Sequence, residues 1–140
     1  IYWIGEAQNE FDLDIAFIKY WTAIECMFNQ KQEITKSLAK GVTISIIFNG
    51  YQDIQDTNNV DDAKLIYKEI EKLYDKRSLI IHQGKTYLTK QVIDEHHISA
   101  ICKYAAWSVL NMFYLRSIGY VTRDEIKKQI DRLSSILKLK

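Results

Sequence analysis

The chain has 140 residues, 47% of them hydrophobic and 26% charged, with five glycines and no proline. That length is the size of one domain and buries one real core; the missing prolines and scarce glycines disfavour a β-rich fold and suit long, uninterrupted helices. A net charge of +1 excludes nucleic-acid binding through a global field, so any such contact must come from a local patch.

Five helical segments follow in chain order, with no internal repeat or low-complexity tract. The first covers Phe11 to Asn29, where Phe11, Ile15, Ile18, Trp21, Ile24 and Phe28 recur at three- and four-residue steps; the preceding IYWIGEAQNE extends it or stands before it. The second runs from Glu33 to Phe48 and stops at the pair Asn49-Gly50, although its VTISIIF run has a strand-like look. YQDIQDTNN then reads as a polar loop. Asn58 or Asn59 caps a third helix, with Asp61 and Asp62 in its first turn, and this helix runs to Ile81 and stops near Gly84.

After the turn GKTYLTK, a fourth helix runs from Val92 to Ser117, with Ile98, Ile101, Ala105, Val109, Met112 and Phe113 as its apolar positions, and Gly119 ends it. The last opens on Thr122-Arg-Asp-Glu125, a capping box, and continues to Leu137. Short links favour antiparallel neighbours. The expected fold is therefore an all-α helical bundle of about five helices, a single domain over residues 1–140.

Charge interrupts every apolar stretch before the roughly 18 residues of a membrane span, and no signal peptide is visible. Cys26 and Cys102 lie in apolar helical patterns without CxxC spacing, as expected of two buried, reduced thiols in a cytoplasmic protein. Ile1 in place of an initiating Met suggests a piece of something longer, with a sensor or partner domain flanking it.

The third helix carries the sharpest clue. At about 100° per residue, Ile66, Ile70, Leu73, Tyr74 and Ile81 share one arc, and Arg77 falls near its middle. A guanidinium on an apolar face cannot shed its proton, so it is paired or left at an accessible seam. One reading pairs it with a buried Glu or lets it snorkel to the surface; the other makes it an anion-binding group at a cleft. Lys64, Lys68, Lys72 and Lys76 form a basic ridge on the same helix, with Glu71 and Asp75 among them. The ridge is a solvated, salt-laced face or, in a secondary role at Lys72 and Lys76, an RNA-binding one. Tyr67 and Tyr74 either pack in the core or a dimer contact, or stack exposed bases. His82 follows Arg77 by five positions, about 140° around an ideal helix. The two share a site only if the helix loosens before Gly84 or a partner chain supplies the second residue.

Other constellations are weak. The adjacent His96 and His97 point about 100° apart and do not converge on one ion, and only Asp94 and His97 share a face. Gly-rich phosphate loops are absent. Neither a metal nor another cofactor is expected.

The run LYDKRSLIIHQG resembles the signature of Apea-like HEPN domains, an R-x4-6-H motif near the end of a long helix. Arg77, four intervening residues and His82 match it, with the polar Ser78 directly after the arginine. YWTAIECMF resembles that family's first-helix W-x-A-x-E pattern through Trp21, Ala23 and Glu25, and EITKSLAKGV resembles its second helix. The likeness covers Phe11 to Gly84; the remainder matches only as generic helices. It implies a HEPN-type bundle that dimerises, bringing two R-x4-6-H motifs together as a composite active site, and in catalytic members metal-independent cleavage of RNA.

The residue types suit that chemistry. A histidine titrates near neutrality and serves as general base or acid, while a forked, permanently charged arginine stabilises charge on phosphate oxygens. On this resemblance Arg77 holds the phosphate and His82 moves the proton. Glu25 orients Arg77 or His82, or is an ordinary carboxylate paired with a lysine. Ser78 bonds the phosphate or bonds back to the helix. One departure stands: HEPN toxins silenced by nucleotide transfer carry a tyrosine two residues after the histidine, where this chain has Gly84, and Tyr87 is out of register.

The expected function is thus a metal-independent endoribonuclease domain of a defence or stress-response protein. The alternative is a non-catalytic HEPN module that binds RNA, a nucleotide or a protein partner, with the apolar arc as a dimer seam and His82 capping the helix end. A third reading is a structural connector between flanking domains.

Overall fold

The computed structural model describes residues 1–28, 34–48, 58–83 and 91–139, and at 58 and 59 the backbone only. It contains helices α1 (Tyr2–Gln8), α2 (Leu13–Phe28), α3 (Ile34–Ile47), α4 (Asn58–Gln83), α5 (Glu95–Ser117) and α6 (Arg123–Ile136), with no strand among the described residues. The fold is all-α, as expected. The expected stop at Asn49-Gly50, residues 51–57 of the expected loop YQDIQDTNN, the side-chain cap at Asn58 or Asn59, the stop at Gly84 and the turn GKTYLTK lie outside the described residues, whereas the backbone of Asn58 and Asn59, read as the end of that loop, already belongs to α4.

Among the described residues six helices form where about five were expected, because α1 is separate from α2. The Asp12 carboxylate accepts hydrogen bonds from the backbone N–H groups of Asp14 (2.9 Å) and Ile15 (3.2 Å), which caps α2 just after Phe11. Phe11 is left 99% exposed. The buried face of α2 is consequently Ala16, Phe17, Tyr20, Trp21, Ala23, Ile24 and Phe28, and Ile15, assigned to the apolar stripe from spacing, faces outward. Cys26 is exposed rather than buried, being about 200° around the helix from both Ile24 and Phe28. Cys102 is half-buried.

Helix α3 is the centre of the domain and packs against α2, α4, α5 and α6. Leu38, Ala39, Val42, Thr43, Ile44, Ser45 and Ile47 are all buried. Burial on nearly every side explains the strand-like VTISIIF: β-branched residues carry only a small helical penalty, and packing outweighs it. Gly41 lets α2 approach closely, since a Cβ there would meet the Phe28 ring at 2.5–2.9 Å. Inside this contact region Ser45 donates to the Gly41 carbonyl at 2.7 Å, and the buried Asn111 of α5 donates to Ser45 Oγ at 3.2 Å.

Helix α5 begins at Glu95 rather than Val92. The backbone N–H groups of Val92 and Ile93 are spent on Asp14, a buried carboxylate in the first turn of α2, which accepts them at 3.1 and 2.9 Å. Ile101, Tyr104, Ala105, Ser108, Asn111 and Leu115 form the buried line of α5; Phe113, expected among its apolar positions, lies about 200° from Asn111 and Leu115 and is exposed. The helix closes at Gly119, whose φ of +107° suits a residue without Cβ, and Tyr120 N–H reaches back to the Leu115 carbonyl at 2.9 Å. The expected capping box of α6 is present, Thr122 Oγ1 accepting from Glu125 N–H at 3.2 Å and Glu125 from Thr122 N–H at 3.3 Å. Among the described residues, no helix is long and apolar enough to cross a membrane.

Candidate functional site

Helix α4 is 26 residues long and remains helical through Gln83. Its buried line is Ala63, Ile70, Leu73 and Ile80, with Ile66, Tyr67 and Tyr74 partly covered. Ile81, assigned to this face from the helical wheel, is 47% exposed, because Ile80 turns inward in the last turn instead. Arg77 lies near the middle of the buried stripe, as its spacing indicated.

Arg77 meets Glu25 of α2, with Nη2 to Oε1 at 2.9 Å and both side chains largely covered. Arg77 Nε and Glu25 Oε1 are nevertheless buried without a well-aligned hydrogen bond among the described residues, so the contact is Coulombic more than directional. Two aromatic rings complete the arrangement. The Arg77 guanidinium carbon sits 5.2 Å from the centre of the Tyr74 ring, within cation–π range. The Trp21 indole meets that same ring edge-on, with centroids 5.2 Å apart at 85°, and Phe17 meets Trp21 at 6.3 Å and 78°. Burial pushes the Tyr74 hydroxyl above its ordinary value, with Glu25 adding to the rise and the Arg77 charge opposing it.

Local spacing builds this group. Trp21 and Glu25 are four residues apart on α2, while Tyr74 and Arg77 are three apart on α4, so each pair lines one helix face. Spacing alone did not join the two pairs; the signal was that W-x-A-x-E places its tryptophan and its carboxylate on a single stripe. Asp14 also went unrecognised, although an acid three residues before Phe17 and seven before Trp21 is an acid on an apolar face, the same signature that marked Arg77.

The other proposed residues fall elsewhere. Ser78 is half-buried, one position or about 100° around from Arg77. His82 is exposed in the last turn of α4, where the unbroken helix keeps it about 140° from Arg77. Within one chain the two residues thus face different directions. Lys64, Lys68 and Lys72 are exposed and Lys76 is half-buried, so the basic ridge runs along the outer side of α4. Tyr74 has the guanidinium against its ring, which removes that face from any stacking with a base.

Asp94 and His97, which share a helix face, serve the start of α5. Asp94 accepts from His97 N–H at 3.0 Å, and His97 Nδ1 accepts from Asp94 N–H at 3.1 Å. The hydrogen bond from the His97 backbone holds the Asp94 carboxyl below the usual aspartate range. Among the described residues no three His, Cys, Asp or Glu side chains gather as a metal site would require. Comparison with family models, with curated proteins and with solved structures finds no match to this chain.

Proposed function

We propose that the chain is a HEPN-type, metal-independent endoribonuclease domain that works as a homodimer, in a defence or stress-response protein. The observation that carries the reading is Arg77: a permanently charged, forked donor on a packing face, held by Glu25 yet still 24% exposed. Such a group is preorganised for a phosphate and has a partner that keeps it from collapsing elsewhere.

In the proposed reaction the RNA 2′-hydroxyl attacks the adjacent phosphorus. His82 takes its proton, Arg77 stabilises the charge on the phosphate oxygens, and the bond to the 5′-oxygen breaks as that oxygen takes a proton from water. The products are a cyclic phosphate and a 5′-hydroxyl. Because the continuous helix turns His82 away from Arg77, the site draws Arg77 from one copy and His82 from the other. Exposed Leu79 and Ile81 flank His82 in the last turn and suit a surface that a second copy covers. Ser78 is the further phosphate donor, and Lys72 and Lys76 guide the backbone.

A second reading is favoured by the same 140° separation: a module that binds RNA, a nucleotide or a partner without turnover, with Arg77 as the anion contact and His82 uninvolved. Incubation with mixed-sequence single-stranded RNA in EDTA separates the two. The proposed enzyme cleaves and leaves cyclic-phosphate ends, and both Arg77→Ala and His82→Ala abolish cleavage while the helical content stays unchanged. Cleavage that survives either substitution removes the assignment, and binding without cleavage by a folded dimer selects the second reading.

A further inference from the structure

The Arg77 head is contacted on two sides of different chemistry: the Glu25 carboxylate at 2.9 Å and the Tyr74 ring at 5.2 Å. Neither contact is free to drift. Glu25 is on α2, whose neighbouring inward residue Trp21 is fully buried, and the edge-on Trp21 indole fixes the Tyr74 ring in turn. An arginine bound only by an ion pair can swing about its flexible stem. One that also lies over an aromatic face has its position restricted from a second direction, and the two attractions act together on one delocalised cation.

We infer that Tyr74 is a positioning residue: with Glu25 it forms a clamp that fixes the Arg77 guanidinium, and Trp21 is the support that fixes Tyr74. The role of the clamp in catalysis rests on the ribonuclease reading, since there the phosphate is met by Arg77. The clamp itself is a property of four side chains and is testable without any substrate. Tyr74 acts through its ring, so the hydroxyl is dispensable and the π face is not. Since a misplacement on the order of 1 Å costs about a hundredfold in rate for a well-oriented group, loss of the ring lowers turnover more than substrate affinity.

The test removes the arginine side chain and offers its head group back in solution. Read against the wild type in the same solution, which cancels the general denaturing effect of the salt, guanidinium chloride at a few times its dissociation constant raises the melting midpoint of Arg77→Ala by about 2–4 °C. The wild type, whose clamp is filled, shows only that general effect. The double variant Arg77→Ala/Tyr74→Phe keeps the rise and Arg77→Ala/Tyr74→Leu loses it; where the leucine variant does not fold, Tyr74→Met supplies comparable bulk without a ring. No rise in Arg77→Ala, or an undiminished rise once the ring is gone, overturns the clamp. In the cleavage assay with Arg77 present, Tyr74→Phe retains the wild-type rate, whereas Tyr74→Leu lowers kcat by about tenfold and moves KM less. A loss confined to KM overturns the positioning role. A wild type that does not cleave removes the ribonuclease reading, and the melting experiment still decides the clamp.

Discussion

Glu25 and Arg77 face each other across α2 and α4 at 2.9 Å, with side chains only 20% and 24% exposed. A pair this far from water is neither a surface ion pair nor a fully desolvated one. Removing one partner leaves a charge in a partly apolar seam, whereas removing both leaves none. In a double-mutant cycle of Glu25→Gln and Arg77→Met, each single change therefore destabilises the fold, and the double variant loses less than their sum. The coupling expected from urea unfolding is about 1–2 kcal/mol; additive losses would show that the contact contributes nothing to stability.

At Gly41 the prediction concerns space. Any Cβ there would lie 2.5–2.9 Å from the Phe28 ring, and the atoms it meets include Cγ, close to the backbone, which cannot swing aside as the tip of a flexible chain would. Gly41→Ala, which would stabilise an exposed helix, is expected instead to destabilise this one by about 1–3 kcal/mol. Phe28→Ala removes all three of the ring atoms that the new Cβ would meet, so in that background Gly41→Ala costs less than it does in the wild type. Thermal or urea unfolding of the two single variants and the pair checks the sign and the smaller cost.

Asp14 is predicted to matter more than its place in a first turn implies. Its carboxylate satisfies two backbone donors, Val92 at 3.1 Å and Ile93 at 2.9 Å, at the entrance to α5. Asp14→Ala leaves the half-buried Val92 donor and the buried Ile93 donor without their acceptor, at a cost of about 2–4 kcal/mol. Amide hydrogen exchange at Val92 and Ile93 accelerates more than at α6. Asp14→Asn, which keeps an acceptor oxygen, is milder. Uniform acceleration across all helices would point to a global loss and not to this tether.

Legibility in the sequence followed the range of the forces involved. The capping box at Thr122 and the stop at Gly119 are local events, written within a few residues, and both are present. Arg77 at the middle of a packing face was legible because helical periodicity exposes a charge on an apolar stripe. Phe11 and Phe113 were misplaced because a stripe of apolar residues does not say how wide the covering neighbour is, nor that Asp12 would start α2 two residues later. The Trp21–Tyr74 contact and the Asp14 tether join residues more than fifty positions apart. Only the packing of α2 against α4, and of the α5 entrance against α2, brings those partners together.

The tyrosines supply a pH prediction. Burial pushes the Tyr20, Tyr74 and Tyr104 hydroxyls above their ordinary value of 10.0, with Cys102 adding to the rise at Tyr20 and Glu69 at Tyr104. An acid whose folded-state value is raised stays protonated in the fold after the unfolded chain has begun to ionise. Above pH 10 the folded state then holds more protons than the unfolded one, so stability present below pH 10 is lost as the pH rises toward the folded-state values. In a spectrophotometric titration near 295 nm of the nine tyrosines, Tyr20, Tyr74 and Tyr104 ionise late, only as the helical signal collapses. Tyr104→Phe removes one buried hydroxyl from the late step and shifts the alkaline unfolding to higher pH. A single ionisation of all nine tyrosines, with the helices still intact, would show that these hydroxyls are not shielded as the packing of α2, α4 and α5 requires.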